Sequence, residues 1–200
     1  AREGGDILLE AMNSGINFFD TAQMYRTYPH LRYALDRYPG DVIITTKSTA
    51  ADYAGMEAAI QEALQELGRE YIDIFLLHAA RVEGNPIDQR PGAWECLLDY
   101  KRKGYIRAVG ASTHAVSAVQ ALTSTSDVDV IFALLNKASL GIIGGSADQM
   151  KSALQLAAAA GKGLYSMKLL GGGSLLVDIL DAIAYGRAIP ELTAHAVGMV

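Results

Sequence analysis

"INFFD", residues 16–20, is a short apolar run that ends on a carboxylate, and similar runs recur along the chain. Each is nearly continuous in apolar residues and partly β-branched or aromatic. The six later runs are "VIITTK" (42–47), "IDIFLLH" (72–78), "IRAVGAS" (106–112), "VIFALLN" (130–136), "GLYSMK" (163–168) and "HAVGM" (195–199). Runs of this kind are typical of strands buried on both faces of a parallel sheet. The sequence therefore predicts seven parallel strands.

Longer stretches with helical spacing separate these runs. Residues 55–68 place apolar side chains on one helical face, and Gly68 stands where a helix would end. Residues 91–104 open with proline and close with glycine, which is the usual asymmetry of helix termini. Residues 146–163 begin with Ser146, a favourable helix N-cap. The sequence thus alternates strand and helix.

Repeated βα units predict a parallel sheet with helices outside it. A doubly wound sheet would usually carry a glycine-rich phosphate loop after an early strand, and none follows residues 16–20 or 42–47. A (β/α)₈ barrel has eight strands and typically about 250 residues. We therefore expect an α/β protein of the (β/α)₈ barrel class, in which residues 1–200 form a single, partial domain with one strand missing.

Composition argues against several classes of partner. The formal net charge is -5, and the longest basic segment is the short "YKRKGYIR" at 100–107. We therefore expect neither a nucleic-acid partner nor an anionic membrane surface. Cys96 is the only cysteine, which argues against a disulfide framework and favours a reducing compartment. No apolar stretch is long enough to cross a bilayer, so the sequence predicts a cytoplasmic protein. We assign no residue to a metal.

Ionisable residues end the first three predicted strands. They are Asp20, Lys47 and His78, and Tyr25 follows Asp20 in the next loop. Strand ends of a parallel barrel share one face, where active sites lie. Each residue alone has a simpler explanation: a helix cap for the aspartate, a solvated strand end for the lysine, a structural histidine, an aromatic wedge for the tyrosine. Their joint occurrence favours an active site.

These four residue types together can exchange a proton with a carbonyl or alcohol oxygen. A tyrosine with an ordinary pKa near 10 needs help to act near neutral pH, and a neighbouring ammonium would lower its pKa. The carboxylate of Asp20 would hold Lys47 charged and in place, and His78 could orient a substrate oxygen. None of these groups supplies a hydride, so a redox cofactor would be required.

Polar groups at the later strand ends fit such a cofactor. The polar groups are Ser112, Thr113, Asn136 and Lys168, and the apolar Met167 lies beside the lysine. Three glycines beginning at Gly171 would let backbone amides approach a phosphate, although a flexible loop explains the same glycines equally well.

Five segments together resemble the aldo-keto reductase family. "GINFFDTAQMY" (15–25) is similar to the family signature "GxxxxDTAxxYG", and "IITTK" is similar to its lysine strand. "DIFLLHAA" resembles the strand that bears the family's histidine, "GYIRAVGASTH" resembles "GKIRxxGxSN", and "MKLLGGGSL" resembles the late "PLGxGxL" loop. The family fold is a (β/α)₈ barrel that binds NADPH in an extended form. The resemblance also implies that the first strand and a C-terminal, phosphate-binding segment lie outside residues 1–200.

The resemblance implies a role for each candidate. Tyr25 would be the proton donor, Lys47 and Asp20 its tuning pair, and His78 the group that orients a small carbonyl substrate. Ser112, Thr113 and Asn136 would hold the nicotinamide carboxamide, Met167 would lie against the ring, and residues 168–171, including Lys168 and Gly171, would lie near the pyrophosphate. The cofactor would be NADPH, with NADH possible.

Three positions depart from the family pattern, and two other functions remain open. Arg26 replaces a glycine, Thr113 replaces asparagine, and Met167 stands where many members have an aromatic residue. A barrel with a lysine at a strand end, Lys47 or Lys168, could instead be a Schiff-base aldolase. A non-catalytic redox sensor that binds the nucleotide is the other alternative.

Overall fold

The computed structural model describes residues 2–198, and seven parallel strands alternate with helices along them. The strands are β1 (Phe18–Asp20), β2 (Ile43–Ser48), β3 (Ile72–His78), β4 (Ile106–Thr113), β5 (Val130–Leu134), β6 (Gly163–Met167) and β7 (Ala194–Ala196). The helices are α1 (Arg2–Asn13), α2 (Tyr28–Leu35), α3 (Tyr53–Leu67), α4 (Pro86–Gln89), α5 (Pro91–Arg102), α6 (Val116–Thr123), α7 (Ala147–Ala159) and α8 (Ile179–Arg187). Each of the seven predicted runs overlaps a strand; Met199, at the end of the last run, lies outside the described residues.

The strands follow chain order within the sheet, from β1 to β7. Neighbours pair in parallel; Phe19 lies opposite Ile44, for example, and Phe132 opposite Tyr165. This sequential order is that of a (β/α)₈ barrel and differs from the order of a doubly wound sheet, in which the strand order reverses. β2 and β5 are buried along nearly their whole lengths, which explains why their sequences are continuously apolar rather than alternating.

Local sequence determines where the predicted helices begin and end. α3 starts after Asp52, whose carboxylate accepts a hydrogen bond from the Gly55 amide, and it stops at Gly68 in the left-handed conformation. Ser146 and Gln149 form a reciprocal capping box at the start of α7. The capping residues therefore confirm the predicted ends of two helices to within about two residues.

The chain forms two compact units. The first, unit 1, comprises residues up to His78 together with Arg90–Val109, and the second, unit 2, comprises Ala79–Gln89 and Gly110–Val197. Unit 1 contains β1 to β3, and unit 2 contains β5 to β7; β4 begins in unit 1 and ends in unit 2. The interpretation of residues 1–200 as one barrel domain stays a prediction.

In unit 1, helices pack in pairs over buried strands. α1 contacts α2, and α3 contacts both α2 and α5. At the start of β3, the buried Asp73 carboxylate accepts hydrogen bonds from the Ile44 amide, at 3.0 Å, and from Arg69 and Arg107. These bonds tie β2, β3 and β4 together at their amino-terminal ends, opposite the ends that carry the candidate catalytic residues.

In unit 2, aromatic stacking organises the core. The rings of Phe132 and Tyr165 lie 3.9 Å apart and nearly parallel on neighbouring strands, and α6 packs against α7. Beside them, the Ser166 hydroxyl and His195 Nδ1 share a hydrogen bond of 2.7 Å that joins β6 to β7.

Within residues 2–198, no helix combines the length and the apolar character needed to cross a bilayer.

Candidate active site

An ion pair joins the ends of β1 and β2. Lys47 Nζ lies 2.6 Å from Asp20 Oδ1 and also donates a hydrogen bond of 2.7 Å to the Thr21 carbonyl. Lys47 is only 1% exposed, and the Asp20 side chain is 13% exposed. The strand register explains this contact. Asp20 lies opposite Thr45, and the long side chain of Lys47, two residues further along β2, spans the remaining distance. A buried ammonium is tolerated here because a carboxylate and a carbonyl accept hydrogen bonds from it.

Tyr25 and His78 lie beside this ion pair. Tyr25 ends a 3₁₀ turn, Gln23–Tyr25, and is 51% exposed. The centroid of its ring is 5.2 Å from Lys47 Nζ and 6.1 Å from the centroid of the His78 ring, which meets it edge to face. His78 is the last residue of β3, whose register places it just beyond Ser48 of β2. Unit 1 therefore brings together all four residues that the sequence singled out as catalytic.

The pKa of Tyr25 is raised above its ordinary value of 10.0. Partial burial is the larger cause, and the negative charge of Asp20 is the second. This corrects the expectation that Lys47 lowers the tyrosine pKa in the free protein. The Lys47 ammonium is bonded to the Asp20 carboxylate and to the Thr21 carbonyl, so the negative charge of Asp20 offsets much of its effect on the phenol. Tyr25 is accordingly protonated at neutral pH, the state in which a phenol can donate a proton.

Burial also governs the pKa of Lys47, which is lowered from 10.5. The Asp20 carboxylate opposes this effect through its charge and its hydrogen bond, but desolvation is the larger cause. The lysine therefore depends on its carboxylate partner to remain an ammonium inside the protein.

Two side-chain hydrogen bonds hold the loop that carries Tyr25: one joins the two ends of the loop, and the other joins its C-terminal end to β2. The hydroxyls of Thr21 and Thr27 bond to each other across the base of the loop. The Tyr28 hydroxyl, on a fully buried ring, bonds at 2.7 Å to Thr46 of β2. Sequence reasoning did not identify these residues, because hydroxyl pairs between segments far apart in sequence leave no local pattern.

Arg26 adopts a left-handed backbone conformation, with φ 56° and ψ 34°. Non-glycine residues adopt this conformation at a cost of about 1–2 kcal/mol, because Cβ crowds the following carbonyl. The structure therefore explains why the family signature has glycine after its tyrosine, and why the arginine here is a costly departure.

In unit 2, Ser112 and Thr113 end β4 and are fully buried. The Thr113 hydroxyl accepts a hydrogen bond of 3.0 Å from the Ala115 amide, which shapes the turn that leads into α6. The two predicted hydroxyls thus lie side by side in sequence at a strand end, and that of Thr113 has a structural role in the following turn.

Asn136 follows β5, where its side-chain amide organises the next loop. Nδ2 donates to the carbonyls of Leu140 and Lys168, and Oδ1 accepts from the amides of Ala138 and Leu140. Both donors and both acceptor positions are therefore used within unit 2. A nicotinamide carboxamide could bond to this side chain only by replacing a backbone partner.

Met167, Lys168 and the glycine run lie at the end of β6. Met167 is the last residue of the strand, and the exposed Lys168 adopts a left-handed conformation with φ 58°. A 3₁₀ turn, Gly171–Gly173, follows, and all three glycines have positive φ. A Cβ on either of the last two would have open space around it.

These unit 2 residues fit a nicotinamide nucleotide in their chemistry. The exposed Lys168 lies three positions before a run of glycines, of which Gly172 and Gly173 have open space around their Cα, and this suits a pyrophosphate. Met167 offers a partly exposed apolar side chain for a ring. Asn136 fits less well, because its amide is already satisfied.

The family model for "Aldo/keto reductase family" matches residues 2–190. The chain belongs to this family. One solved structure, an aldo-keto reductase enzyme from a Medee basin deep-sea metagenome library, covers 100% of this chain and 78% of its own, with a TM-score of 0.77 at 15% identity. At that identity the likeness shows the fold alone, and it confirms the predicted (β/α)₈ barrel class.

Curated relatives align with little more than half of the chain. An NADPH-dependent alpha-keto amide reductase of Saccharomyces cerevisiae is 27% identical over 123 residues, which are 57% of this chain and 38% of the relative. A morphine 6-dehydrogenase of Pseudomonas putida is 29% identical over 136 residues, which are 64% of this chain and 44% of the relative. The aligned part is thus less than half of each relative's length.

Proposed function

We propose that the protein is an NAD(P)H-dependent oxidoreductase that reduces an aldehyde or ketone, with Tyr25 as the proton donor. The observation that carries this proposal is the buried ion pair of Lys47 and Asp20 beside the Tyr25 ring. A buried ammonium is costly, so its place next to a phenol, a carboxylate and an imidazole argues for chemistry rather than for stability alone.

Tyr25 donates its proton to the carbonyl oxygen as negative charge develops there. Its raised pKa keeps it protonated at neutral pH until a substrate is present. The Lys47 ammonium then stabilises the phenolate that remains, and Asp20 keeps that ammonium charged and oriented. His78 orients the substrate oxygen from the edge of the tyrosine ring. When bound, the cofactor supplies the hydride for the carbonyl carbon.

Residues of unit 2 would hold the cofactor. Thr113 and the neighbouring Ser112 would bond the nicotinamide carboxamide, with Asn136 joining only if it gives up one of its backbone partners. Met167 would lie against the ring, and the segment from Lys168 to Gly171 would receive the pyrophosphate. We propose NADPH, with NADH possible, and the name of the yeast relative supports the former.

The two alternatives have less support. A Schiff-base aldolase needs a neutral amine that can attack a carbonyl, whereas Lys47 donates hydrogen bonds to a carboxylate and a carbonyl. Lys168 is exposed and remains a candidate for that chemistry. A non-catalytic redox sensor would bind nucleotide without turnover. The cytoplasmic location, the small-molecule carbonyl partner and the lack of a nucleic-acid partner stay predictions.

The proposal is tested with the full natural chain, NADPH and a panel of aldehydes and ketones. Tyr25→Phe should lower kcat and kcat/KM together by about 10²–10⁴-fold, which is the usual effect of losing a positioned acid. Cofactor affinity should be unchanged. The matched control is Tyr105→Phe, which removes a hydroxyl from another exposed tyrosine and should leave activity unchanged.

Three results would overturn the proposal. An active Tyr25→Phe enzyme would remove the proton donor from the mechanism. Borohydride trapping of substrate on Lys47 or Lys168 would favour the aldolase, and nucleotide binding with no turnover across the panel would favour the sensor.

A further inference from the structure

The side chain of Gln23 connects the Tyr25 turn to two other elements of unit 1. The Ser48 hydroxyl donates to Gln23 Oε1 at 2.7 Å, and Gln23 Nε2 donates to Glu62 Oε2 at 2.6 Å. The Ser48 oxygen in turn accepts a hydrogen bond of 3.1 Å from the Ala50 amide. One amide therefore bridges the end of β2 and the middle of α3.

The direction of each bond in this chain is fixed by chemistry. A carboxylate only accepts, so the Gln23 nitrogen must face Glu62 and its oxygen must face Ser48. The Ser48 oxygen receives the Ala50 N–H, which leaves its own hydrogen for Gln23. These directions leave the Gln23 amide a single favourable orientation.

Side chains alternate between the two faces of β2, and this alternation places the Gln23 bridge on the face opposite to Lys47. Neighbouring residues of a strand point to opposite faces, so Thr46 and Ser48 share the face opposite to Lys47. Thr46 bonds to Tyr28 and Ser48 bonds to Gln23, so this face of β2 holds the loop both before and after Tyr25. The other face carries the ammonium of the ion pair.

We propose that Gln23 is a positioning residue, which holds the Tyr25 phenol at its working distance from Lys47 by anchoring the turn to Ser48 and Glu62. The inference rests on the proposed catalytic role of Tyr25. Tyr28 is a fully buried ring and contributes packing to the core, whereas Gln23 is only half-buried and its role lies in its hydrogen bonds.

The first test is Gln23→Met, which keeps the length of the side chain and removes both hydrogen bonds. We expect kcat to fall about 10- to 100-fold, because small displacements of a reacting group have effects of that size. KM and the NADPH Kd should stay within about twofold, because ground-state binding uses other residues. Amide hydrogen exchange across residues 21–27 should become faster. Gln65→Met, on the exposed face of α3, is the matched control and should change none of these quantities.

The second test is a charge swap between the two partners. Gln23→Glu alone places two carboxylates together and should reproduce the loss of kcat and the faster exchange. Adding Glu62→Gln restores complementarity, because the carboxylate introduced at position 23 can accept from Ser48 and from the amide introduced at position 62. The double variant should recover kcat to within about threefold of the natural protein, as expected for residues that act as one pair.

The outcomes separate this inference from the proposed function. If Tyr25→Phe is inactive but Gln23→Met keeps full kcat and slow exchange, the positioning role is wrong and the proton donor stands. If Tyr25→Phe is active, the proposed function fails, and the exchange measurement alone still reports whether Gln23 anchors the turn. A swap variant that is as slow as Gln23→Glu overturns the inference, because pairing between positions 23 and 62 would then not matter.

Discussion

The strand ends of unit 1 and unit 2 use their polar residues in different ways. In unit 1, Asp20 and Lys47 are opposite charges on different strands, and they form a close ion pair. In unit 2, Asn136 is neutral, and four backbone bonds from nearby loops satisfy its side chain. A buried charge needs a partner charge, which only tertiary structure can bring. The hydrogen bonds of a neutral amide can instead be satisfied by nearby backbone groups, so Asn136 stabilises the conformation of the loop around it.

The largest expected effect is the loss of stability in Lys47→Met. Removing the ammonium leaves the Asp20 carboxylate partly buried without its cation, which typically costs about 3–5 kcal/mol. The free energy of unfolding is measured by urea titration. Combining the change with Asp20→Asn should recover much of the loss, since the remaining charge is then removed.

The corresponding lysine of unit 2 supplies the control. Lys168 is exposed, so Lys168→Met should change the free energy of unfolding by less than about 0.5 kcal/mol. Equal losses in the two lysine variants would show that the contrast between the units is wrong.

Asn136→Ala should have the next largest effect. It removes four hydrogen bonds, and we expect the free energy of unfolding to fall by about 2 kcal/mol. The loss is smaller than four full hydrogen bonds because the freed backbone groups regain partners in water. Hydrogen exchange should accelerate in residues 136–140 and leave residues 21–27 unchanged. Asn136→Asp keeps the acceptor and loses the donors, so it should be intermediate. An alanine variant as stable as the natural protein would remove the loop-building role.

A smaller effect is expected on the titration of Tyr25. Its folded-state pKa lies above 10.0, so the stability that its protonated form contributes is complete below pH 10.0 and is lost as pH rises through the folded pKa. Asp20→Asn removes the carboxylate that helps to raise this pKa, so the pKa should fall. Ultraviolet difference titration against Tyr25→Phe measures it. An unchanged or higher pKa in Asp20→Asn would contradict the stated electrostatic cause.

The smallest predicted change concerns Arg26→Gly. Glycine adopts the left-handed conformation freely but is more flexible when unfolded, so the net gain should be about 0.5 kcal/mol. Arg26→Ala keeps the strain and should bring no gain. Denaturant titration of both variants tests this, and a glycine variant less stable than the alanine variant would show that φ at this position is not the source of strain.

Most of the fold could be predicted from the sequence. Runs such as "IDIFLLH" gave strand positions because strands buried on both faces are apolar throughout. The four candidate catalytic residues could be grouped because a parallel sheet brings strand ends together. Gly68 and Ser146 marked helix ends for reasons that are local in sequence.

What could not be predicted depends on side chains that meet through the fold. The bridge from Gln23 to Ser48 and Glu62 joins residues 25 and 39 positions apart, and no local pattern indicates it. The pKa of Tyr25 was predicted in the wrong direction, because the sequence shows that an ammonium is near but shows neither the partial burial of the phenol nor the effect of the Asp20 charge on it. The bonds of Asn136 to Ala138 and Leu140 are local, and only its bond to the Lys168 carbonyl depends on the fold.

In the proposed mechanism Lys47 acts through Tyr25, and a double-mutant cycle tests this coupling most directly. Tyr25→Phe, Lys47→Met and the double variant, each shown to be folded by circular dichroism, are compared with the natural chain in stopped-flow NADPH oxidation with an aromatic aldehyde. Residues that work as a unit are strongly non-additive, so the double variant should be scarcely slower than either single variant, each about 10²–10⁴-fold below the natural rate. Additive losses, or a Tyr25→Phe protein that keeps the natural rate while Lys47→Met is inactive, would contradict the account.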